Sequence, residues 1–438
     1  MLKINLKLVA IACCLIPILV MGWKNWSANR SQALPPKMVG AGNSSMLPGR
    51  YYHVSVPPSA LDSYLAADFR VWLPHDVPTL RGAIVKVHGC GDAAAQTGLD
   101  HANDFQWQSL AVKHQFALIG AKFPTGNKPC EYWALINNGS GDAFLKALAT
   151  VATQSDHPEL AEVPWVLWGH SGGADWSAQM LQQYPDRTIA VVAARGGAFT
   201  LLGTDPNLAN IPVLFALGAQ DKVAVKETHT LPRQVFDRYR RRDAPWALAI
   251  AAGAGHETGD TRLLAIPYLE AILTQQLPPA NKLQSIAKNQ GWLGDLATHN
   301  VAPVDRFEGD RRAAAWLPNE DTAHKWQQYL ATGKIPPTRA PMAPIALTAA
   351  RIDRTTVLLT WQYPPDLEQG LPSFRIYRNG TAIATVIGQG HDFGDAADPP
   401  QALEFQDRDA RSDVTYSVGA INARGESMSQ STQLTKSS

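Results

Sequence analysis

The segment Val163-Pro-Trp-Val-Leu-Trp-Gly169-His170-Ser171-Gly172-Gly173 places a serine among glycines directly after a short apolar run. Trp165 to Trp168 is apolar throughout, as in a strand buried on both faces, and the residues after Ser171 have helical spacing. Gly169 and Gly173 flank the serine at two residues on each side, where a tight turn brings the chain close to itself. The pattern predicts a strand–turn–helix unit that exposes the Ser171 hydroxyl at the end of a strand. The alternative is a glycine-rich turn in which Ser171 only caps the helix.

Strand-like and helical segments alternate on both sides of this unit. The predicted strands are Tyr51–Val56, Phe69–Leu73, Ala83–Val87, Phe116–Ala121, Trp165–Trp168, Thr188–Ala194, Ile211–Leu217 and Trp246–Ala251. The predicted helices are Phe105–His114, Gly141–Thr153, Leu231–Arg240 and Arg262–Thr274. Two leading antiparallel strands followed by this alternation predict an α/β fold, with a mostly parallel sheet covered by helices on both faces.

Two further polar residues follow strands of the predicted sheet. Asp221 comes after the strand that ends at Leu217, and His256 lies in a glycine-rich loop after the last strand. Because the carboxyl ends of parallel strands meet at one edge, we expect Ser171, Asp221 and His256 to converge there. A hydroxyl, an imidazole and a carboxylate in contact give a nucleophile, its base and the group that orients the base. The order Ser…Asp…His along the chain is that of the α/β-hydrolase fold.

Other acidic and imidazole side chains compete for these roles. Asp243 lies on the helix-to-strand side of the sheet, and Asp260 follows His256 too closely, so neither is expected to orient the imidazole. His88 opens a loop after a strand and is expected to brace that loop, and His170 is expected to pack beneath the serine. The alternatives for Asp221 and His256 are a capping carboxylate and a buried structural histidine.

An acyl-transfer site also needs N–H donors for the negative oxygen that develops on the carbonyl. One expected donor is the amide of Gly172, which follows the serine. The other should come from the loop His88-Gly-Cys-Gly91, with the Cys90 amide as the first candidate and the Gly91 amide as the second.

Several segments resemble the extracellular poly(3-hydroxybutyrate) depolymerase and feruloyl esterase group of α/β-hydrolases. They lie between Ala83 and Ala194 and are Val87-His-Gly-Cys90, Phe105–Trp107, Cys130-Glu-Tyr-Trp133, Gly141–Leu145 and Gly169–Gly173. The segments around Asp221 and His256 are similar to dienelactone-hydrolase-like enzymes. The resemblance implies an α/β-hydrolase fold and ester hydrolysis, with Ser171 as nucleophile, Asp221 as acid, His256 as base and Cys90 in the oxyanion loop. The chain departs from these depolymerases at His170 and at Gly172, which replaces the small non-glycine residue often found there.

Only Cys90 and Cys130 lie outside the N-terminal apolar segment. Two cysteines in an exported chain predict one disulfide, which would stiffen the loop that carries the Cys90 amide. The alternative is a pair of buried free thiols.

The first residues combine a basic head, with Lys3 and Lys7, and the apolar run Leu8–Met21. This pattern is typical of a bacterial export signal, and retention as a single N-terminal anchor is the alternative. We therefore expect an extracytoplasmic protein, secreted or periplasmic, whose membrane contact is limited to such an anchor. The formal net charge is +1, and the basic cluster Arg240–Arg242 is expected to form a solvated helix end, so nucleic acid is not an expected partner.

The C-terminal part has an all-β pattern. Strands are predicted at Thr356–Trp361, Ser373–Arg378, Ala382–Ile387 and Val414–Ile421. Trp361, Tyr377, Phe405-x-Asp407 and Tyr416 resemble a fibronectin type III domain, in which Tyr416 would be the corner tyrosine. The resemblance implies a sandwich that serves as a spacer or contacts a surface or polymer.

The chain is therefore expected to contain an export signal or signal anchor (1–24), a flexible tether (25–48), an α/β-hydrolase catalytic domain (49–280), a helical tryptophan-rich extension packed on it (281–334), a proline-rich linker (335–344) and a fibronectin type III domain (345–438). We expect a serine esterase that forms an acyl-enzyme on an ester, polymeric or small, without cofactor or metal. The alternatives are a serine peptidase or acyltransferase with the same residues, and a catalytically inactive adhesion protein.

Overall fold

A computed structural model describes residues 35–43, 46–197, 206–223, 225–277, 283–388, 402–410 and 413–434. The predicted export signal and most of the predicted tether lie outside these residues. Within the described ranges, no helix combines the length and the apolar character needed to cross a bilayer.

One nine-stranded sheet forms the centre of the N-terminal part. Its strands are β1 (Lys37–Asn43), β2 (Gly49–Val56), β3 (Ala67–Pro74), β4 (Gly82–Val87), β5 (Phe116–Lys122), β6 (Trp165–His170), β7 (Thr188–Ala194), β8 (Val213–Gly218) and β9 (Trp246–Ala251). Their order is β1-β2-β3-β5-β4-β6-β7-β8-β9. The first three strands pair antiparallel, β3 also pairs antiparallel with β5, and the remaining pairs are parallel. The eight predicted strands are confirmed.

Helices fill the connections between the strands. They are α1 (Asp92–Gln96), α2 (Phe105–His114), α3 (Glu131–Ala134), α4 (Ser140–Gln154), α5 (Gly172–Gln183), α6 (Leu231–Arg240) and α7 (Thr261–Gln276). Helix α2 begins at Asp104, whose side chain accepts the amides of Gln106 and Trp107 at 3.0 and 3.2 Å. Every residue of β4, β7 and β8 is buried, so both faces of the sheet are covered. The fold is that of an α/β-hydrolase-like protein, as expected.

Strand β1 corrects the prediction that residues 25–48 form a flexible tether. It pairs antiparallel with β2, in a register that places Met38 opposite Val54. The segment is rich in glycine and shows no alternating pattern, so its sequence gives little sign of a strand. The open edge of β2 supplies the hydrogen-bonding partners that make it one.

Residues 283–334 contain the helix of the predicted helical extension and, in addition, strands that the prediction did not include. They contain three short strands, β10 (Trp292–Gly294), β11 (Val301–Pro303) and β12 (Ala315–Leu317), followed by helix α8 (Glu320–Thr332). Strands of three residues are too short to show a periodicity in sequence. Both β12 and α8 pack against β9, the edge strand of the central sheet. The Trp326 indole donates to the Leu248 carbonyl of β9 at 2.8 Å, so the extension protects this edge from pairing with another chain.

Arg240 corrects the prediction of a solvated arginine cluster. Arg241 and Arg242 are exposed, but the Arg240 side chain is buried and its Nε donates to the Ala314 carbonyl at 2.6 Å. Burial lowers the pKa of Arg240 to about 10. The partner belongs to the extension, more than seventy residues away, and sequence pattern along α6 could not reveal it.

The C-terminal part consists of two antiparallel sheets. The strands are β13 (Ile345–Arg351), β14 (Val357–Gln362), β15 (Ser373–Arg378), β16 (Thr381–Val386), β17 (Glu404–Asp407), β18 (Thr415–Asn422), β19 (Gly425–Met428) and β20 (Thr432–Gln433). One sheet has the order β13-β14-β17, and the other has the order β16-β15-β18-β19 with β20 also paired to β18. The fibronectin type III assignment stays a prediction. The Tyr416 hydroxyl donates to the Asp407 carboxylate at 2.7 Å, instead of the backbone carbonyl expected of a corner tyrosine.

These sheets are docked on helix α2 of the N-terminal part. The Gln106 side chain donates to the Leu367 carbonyl at 2.8 Å, and the Asp366 amide donates to Ser109 Oγ at 3.1 Å. The rings of Phe105 and Tyr363 lie 5.9 Å apart in the same contact. The C-terminal part therefore touches the helix that follows the Cys90 loop.

We predict that Trp326→Phe lowers the free energy of unfolding by about 1–3 kcal/mol, because it leaves the buried Leu248 carbonyl without its donor. Urea unfolding followed by far-UV circular dichroism measures the change. Trp292→Phe is the matched control, since Trp292 is only half-buried and lies on the first strand of the extension. Equal effects of the two substitutions would contradict the edge-capping role.

Candidate active site

The Ser171 turn has the tight geometry that its glycines predict. Ser171 adopts φ 51° and ψ −118°, a region costing a non-glycine residue about 1–3 kcal/mol, and its amide donates to the Ala194 carbonyl at 2.8 Å. A Cβ atom on Gly169 would overlap the backbone of Gly173, and one on Gly173 would overlap the carbonyls of Val87 and His88, so neither position has room for a side chain. The serine lies between the end of β6 and the start of α5.

Ser171, His256 and Asp221 form one chain of hydrogen bonds. His256 Nε2 lies 3.0 Å from Ser171 Oγ, and His256 Nδ1 lies 2.8 Å from Asp221 Oδ2. Since a carboxylate only accepts, Nδ1 carries the proton and Nε2 is free to accept from the serine hydroxyl. The Asp221 side chain is fully buried, and the His256 side chain remains 22% exposed. The structure thus brings the three expected residues together at the carboxyl ends of β6, β8 and β9.

The competing acidic residues lie elsewhere. Asp243 follows the end of α6 with a side chain that is 76% exposed and 4.0 Å from Arg240. Asp260 directly precedes the first residue of α7. The carboxylate of Asp221 is the one that accepts a hydrogen bond from the His256 ring.

The residues that carry the two expected oxyanion donors, Cys90 and Gly172, are in contact. In the part of the chain that the structure describes, neither the Cys90 amide nor the Gly172 amide donates a hydrogen bond. The amide of Gly91, the second candidate, donates to Thr125 Oγ1 at 3.3 Å. A Cβ atom on Gly172 would overlap the sulfur atoms of Cys90 and Cys130. The disulfide therefore occupies the space of a side chain at position 172.

The predicted disulfide between Cys90 and Cys130 is confirmed. Further bonds join the same two loops, because the Asp92 carboxylate accepts the amides of Thr125 and Gly126 at 2.8 Å each. These bonds lower the pKa of Asp92. The loop that carries the Cys90 amide is therefore fixed to residues 125–130 by one covalent and several polar contacts.

His88 braces this loop as expected. Its Nε2 accepts the Phe123 amide at 2.8 Å, so the ring ties the end of β4 to the segment after β5. Burial lowers the pKa of His88 to about 4, which keeps the ring neutral and able to accept.

His170 does more than pack beneath the serine. Its Nε2 lies 2.6 Å from the carbonyl oxygen of His256, and burial lowers the pKa of His170 to about 4.

Arg195 is a further site residue that sequence reasoning missed. It follows β7 with φ 57°, is fully buried, and donates from Nε to the Glu257 carbonyl at 3.2 Å. Its place at the carboxyl end of a predicted strand, before two glycines, was the available signal.

A buried ion network lies where α2, β4 and α7 meet. Asp104 Oδ2 is 2.7 Å from Arg262 Nη1 and 3.9 Å from Lys86 Nζ, and all three side chains are buried. Lys86 also lies against the rings of Trp107 and Trp168. The network joins the strand before the Cys90 loop to the helix after the His256 loop.

Comparisons with known proteins find structural similarity at low identity. No family model matches the chain, and no curated protein matches it in sequence. An S-formylglutathione hydrolase from Staphylococcus aureus is 14% identical, with a TM-score of 0.34, over 51% of this chain and 93% of that protein. A cold-adapted esterase from an Arctic intertidal metagenomic library is 12% identical, with a TM-score of 0.35, over 56% and 97%. A ferulic acid esterase is 12% identical, with a TM-score of 0.33, over 51% and 93%. At this level of similarity, these structural matches do not indicate a particular activity of this chain.

We predict that acid destabilises the protein partly through its buried neutral histidines. The pKa values of His88 and His170 are about 4 when folded and near 6.5 when unfolded, so the unfolded chain binds more protons between these limits. Stability should therefore be fully retained above about pH 6.5 and fall as the pH drops towards 4, by on the order of 3 kcal/mol per histidine. Urea unfolding across this range, compared with His170→Gln, measures the share of His170. An identical pH slope in the variant would contradict this assignment.

We predict that the Cys90–Cys130 disulfide supports turnover. Reduction of the disulfide, or the double substitution Cys90→Ala and Cys130→Ala, frees the loop with the Cys90 amide. We expect either change to lower kcat about tenfold and to change KM less than about twofold. The loss in kcat is smaller than that expected when a whole oxyanion donor is removed. Ester hydrolysis with and without reductant measures both constants. The double variant is the control, because reductant should not affect it. An unchanged kcat in both cases would contradict the prediction.

Proposed function

We propose that this chain is an extracytoplasmic serine esterase that hydrolyses carboxylic esters through an acyl-enzyme. The observation that carries the proposal is the pair of hydrogen bonds linking Ser171 Oγ, the His256 imidazole and the Asp221 carboxylate. A serine hydroxyl in contact with an imidazole that a buried carboxylate orients is an activated nucleophile.

In the first half of the proposed reaction, Ser171 Oγ attacks the ester carbonyl carbon while His256 Nε2 accepts the hydroxyl proton. The resulting imidazolium is stabilised by Asp221, which also holds the ring in the tautomer that exposes Nε2. When the tetrahedral intermediate collapses, the bond to the alkoxy oxygen breaks and His256 returns the proton to the departing alcohol. The product is an acyl group esterified to Ser171.

In the second half, a water molecule attacks the acyl carbonyl and His256 accepts its proton. Collapse of this intermediate releases the carboxylic acid and restores the Ser171 hydroxyl with the proton from His256. The negative oxygen of both intermediates is assigned to the amides of Cys90 and Gly172, and Gly172 is the first residue of α5. A helix N-terminus favours negative charge, which supports this assignment.

Export, substrate and accessory roles rest on further observations. The basic and apolar N-terminal segment and the disulfide support an oxidising, extracytoplasmic location. The resemblance of the Cys90 and Ser171 segments supports polyester or aromatic plant cell-wall esters as substrates. The two antiparallel sheets after residue 344 support a fibronectin type III domain, with contact to a surface or polymer as its role.

We predict that Ser171→Ala lowers kcat for p-nitrophenyl acetate by at least about 10⁴-fold while leaving the circular dichroism spectrum unchanged, because the nucleophile is lost without a change in packing. Ser155→Ala, at the end of α4, is the matched control and should retain full activity. A fluorophosphonate probe should label the native protein and Ser155→Ala but not Ser171→Ala. Full activity of Ser171→Ala would refute the assignment.

The same assays separate the alternatives. A native chain that neither reacts with the probe nor hydrolyses esters would indicate an inactive adhesion protein. Hydrolysis of peptide amides at a rate comparable to that of matched esters would indicate a peptidase. Transfer of the acyl group to an added alcohol in preference to water would indicate an acyltransferase.

A further inference from the structure

The loop that carries His256 is rich in glycine. Gly253, Gly255 and Gly259 surround the histidine, so the free chain would have many conformations to lose on ordering. Within the loop, the Gly255 amide donates to the Glu257 side chain at 2.8 Å. A loop of this composition has to be held from outside if the imidazole is to keep one position.

His170 holds this loop from the end of β6. The carbonyl of His256 can only accept, so the hydrogen bond of 2.6 Å fixes the proton of His170 on Nε2. The two rings are 5.1 Å apart. On its other side, His170 Nδ1 would lie 2.6 Å from a Cβ atom built on Gly89. His170 therefore fills the space between the oxyanion loop and the backbone of the catalytic base.

Arg195 holds the next residue of the same loop from the end of β7. Its Nε donates to the Glu257 carbonyl at 3.2 Å, and its Nη1 donates to the Ala216 carbonyl of β8 at 2.6 Å. In the described part of the chain no carboxylate lies within ion-pair distance of this fully buried guanidinium. A buried charge is costly without good polar contacts, so its retention is explained by the two carbonyls that it joins.

We propose that His170 and Arg195 are positioning residues that fix the catalytic histidine through its backbone. They donate hydrogen bonds to the consecutive carbonyls of His256 and Glu257 from the ends of the adjacent strands β6 and β7. The nucleophile also follows β6. The inference rests on the proposed function of Ser171, His256 and Asp221. A displacement of about 1 Å between nucleophile and base can cost about 10²-fold in rate. Restraining the loop at these two carbonyls therefore keeps turnover high.

The test compares two substitutions of one residue. The amide nitrogen of glutamine reaches about as far as Nε2 of histidine, so His170→Gln keeps a donor for the His256 carbonyl, whereas His170→Leu fills the space without a donor. We expect His170→Leu to lower kcat about 10- to 100-fold per titrated active site, with KM changed less than about twofold. His170→Gln should stay within about threefold of the native kcat.

A second readout separates positioning from general stability. The proton on His256 Nδ1, held by Asp221, gives a downfield proton NMR signal, which His170→Leu should broaden or shift and His170→Gln should retain. Arg195→Lys, which keeps the charge but cannot donate to both carbonyls, should likewise lower kcat more than it changes KM. This variant tests the same loop if His170→Leu fails to fold.

The outcomes distinguish this inference from the function on which it rests. If the native protein neither hydrolyses esters nor reacts with a fluorophosphonate, the proposed function fails regardless of His170. If the native protein is active but His170→Leu and Arg195→Lys keep its kcat and its Nδ1 signal, the positioning roles are refuted. An equal loss in His170→Gln and His170→Leu would also refute the role of the hydrogen bond.

Discussion

The backbone at Ser171 is the constraint on which the rest of the site depends. Its positive φ is unfavourable for serine and persists because the surrounding structure determines it. The Ser171 amide donates to the Ala194 carbonyl. Gly169 leaves room for the backbone of Gly173, and Gly173 leaves room for the carbonyls at the end of β4. The hydroxyl is therefore placed by the sheet itself, and the neighbouring loops have to fit around a turn that leaves little space.

The same lack of space accounts for the glycines at positions 89 and 172 and for the place of the disulfide beside the turn. The sulfur atoms of Cys90 and Cys130 take the place of a Cβ atom at Gly172, and the ring of His170 takes the place of one at Gly89. The same contacts bring Cys90 and Gly172 together. The loop with one proposed donor is thus packed directly against the turn with the other.

Polar groups around the site act mainly on backbone atoms. His88 accepts an amide, His170 and Arg195 donate to carbonyls of the His256 loop, and Asp92 accepts two amides across the disulfide-linked loops. Each of these contacts removes freedom from a loop that carries a reacting group. Preorganised donors and bases of this kind need little rearrangement during a reaction, which is the main source of catalytic stabilisation in such sites.

The sequence by itself determined the elements with a clear period and the residues that follow them. Eight strands, four helices and the edge where Ser171, Asp221 and His256 meet follow from local pattern, because parallel strands align their carboxyl ends. Only the tertiary structure decided what depends on distant partners. Strand β1 exists because β2 offers an open edge, the short strands of the extension form against β9, and Arg195 matters because of a carbonyl 62 residues away. Such contacts leave no period in the chain, so local sequence could not reveal them.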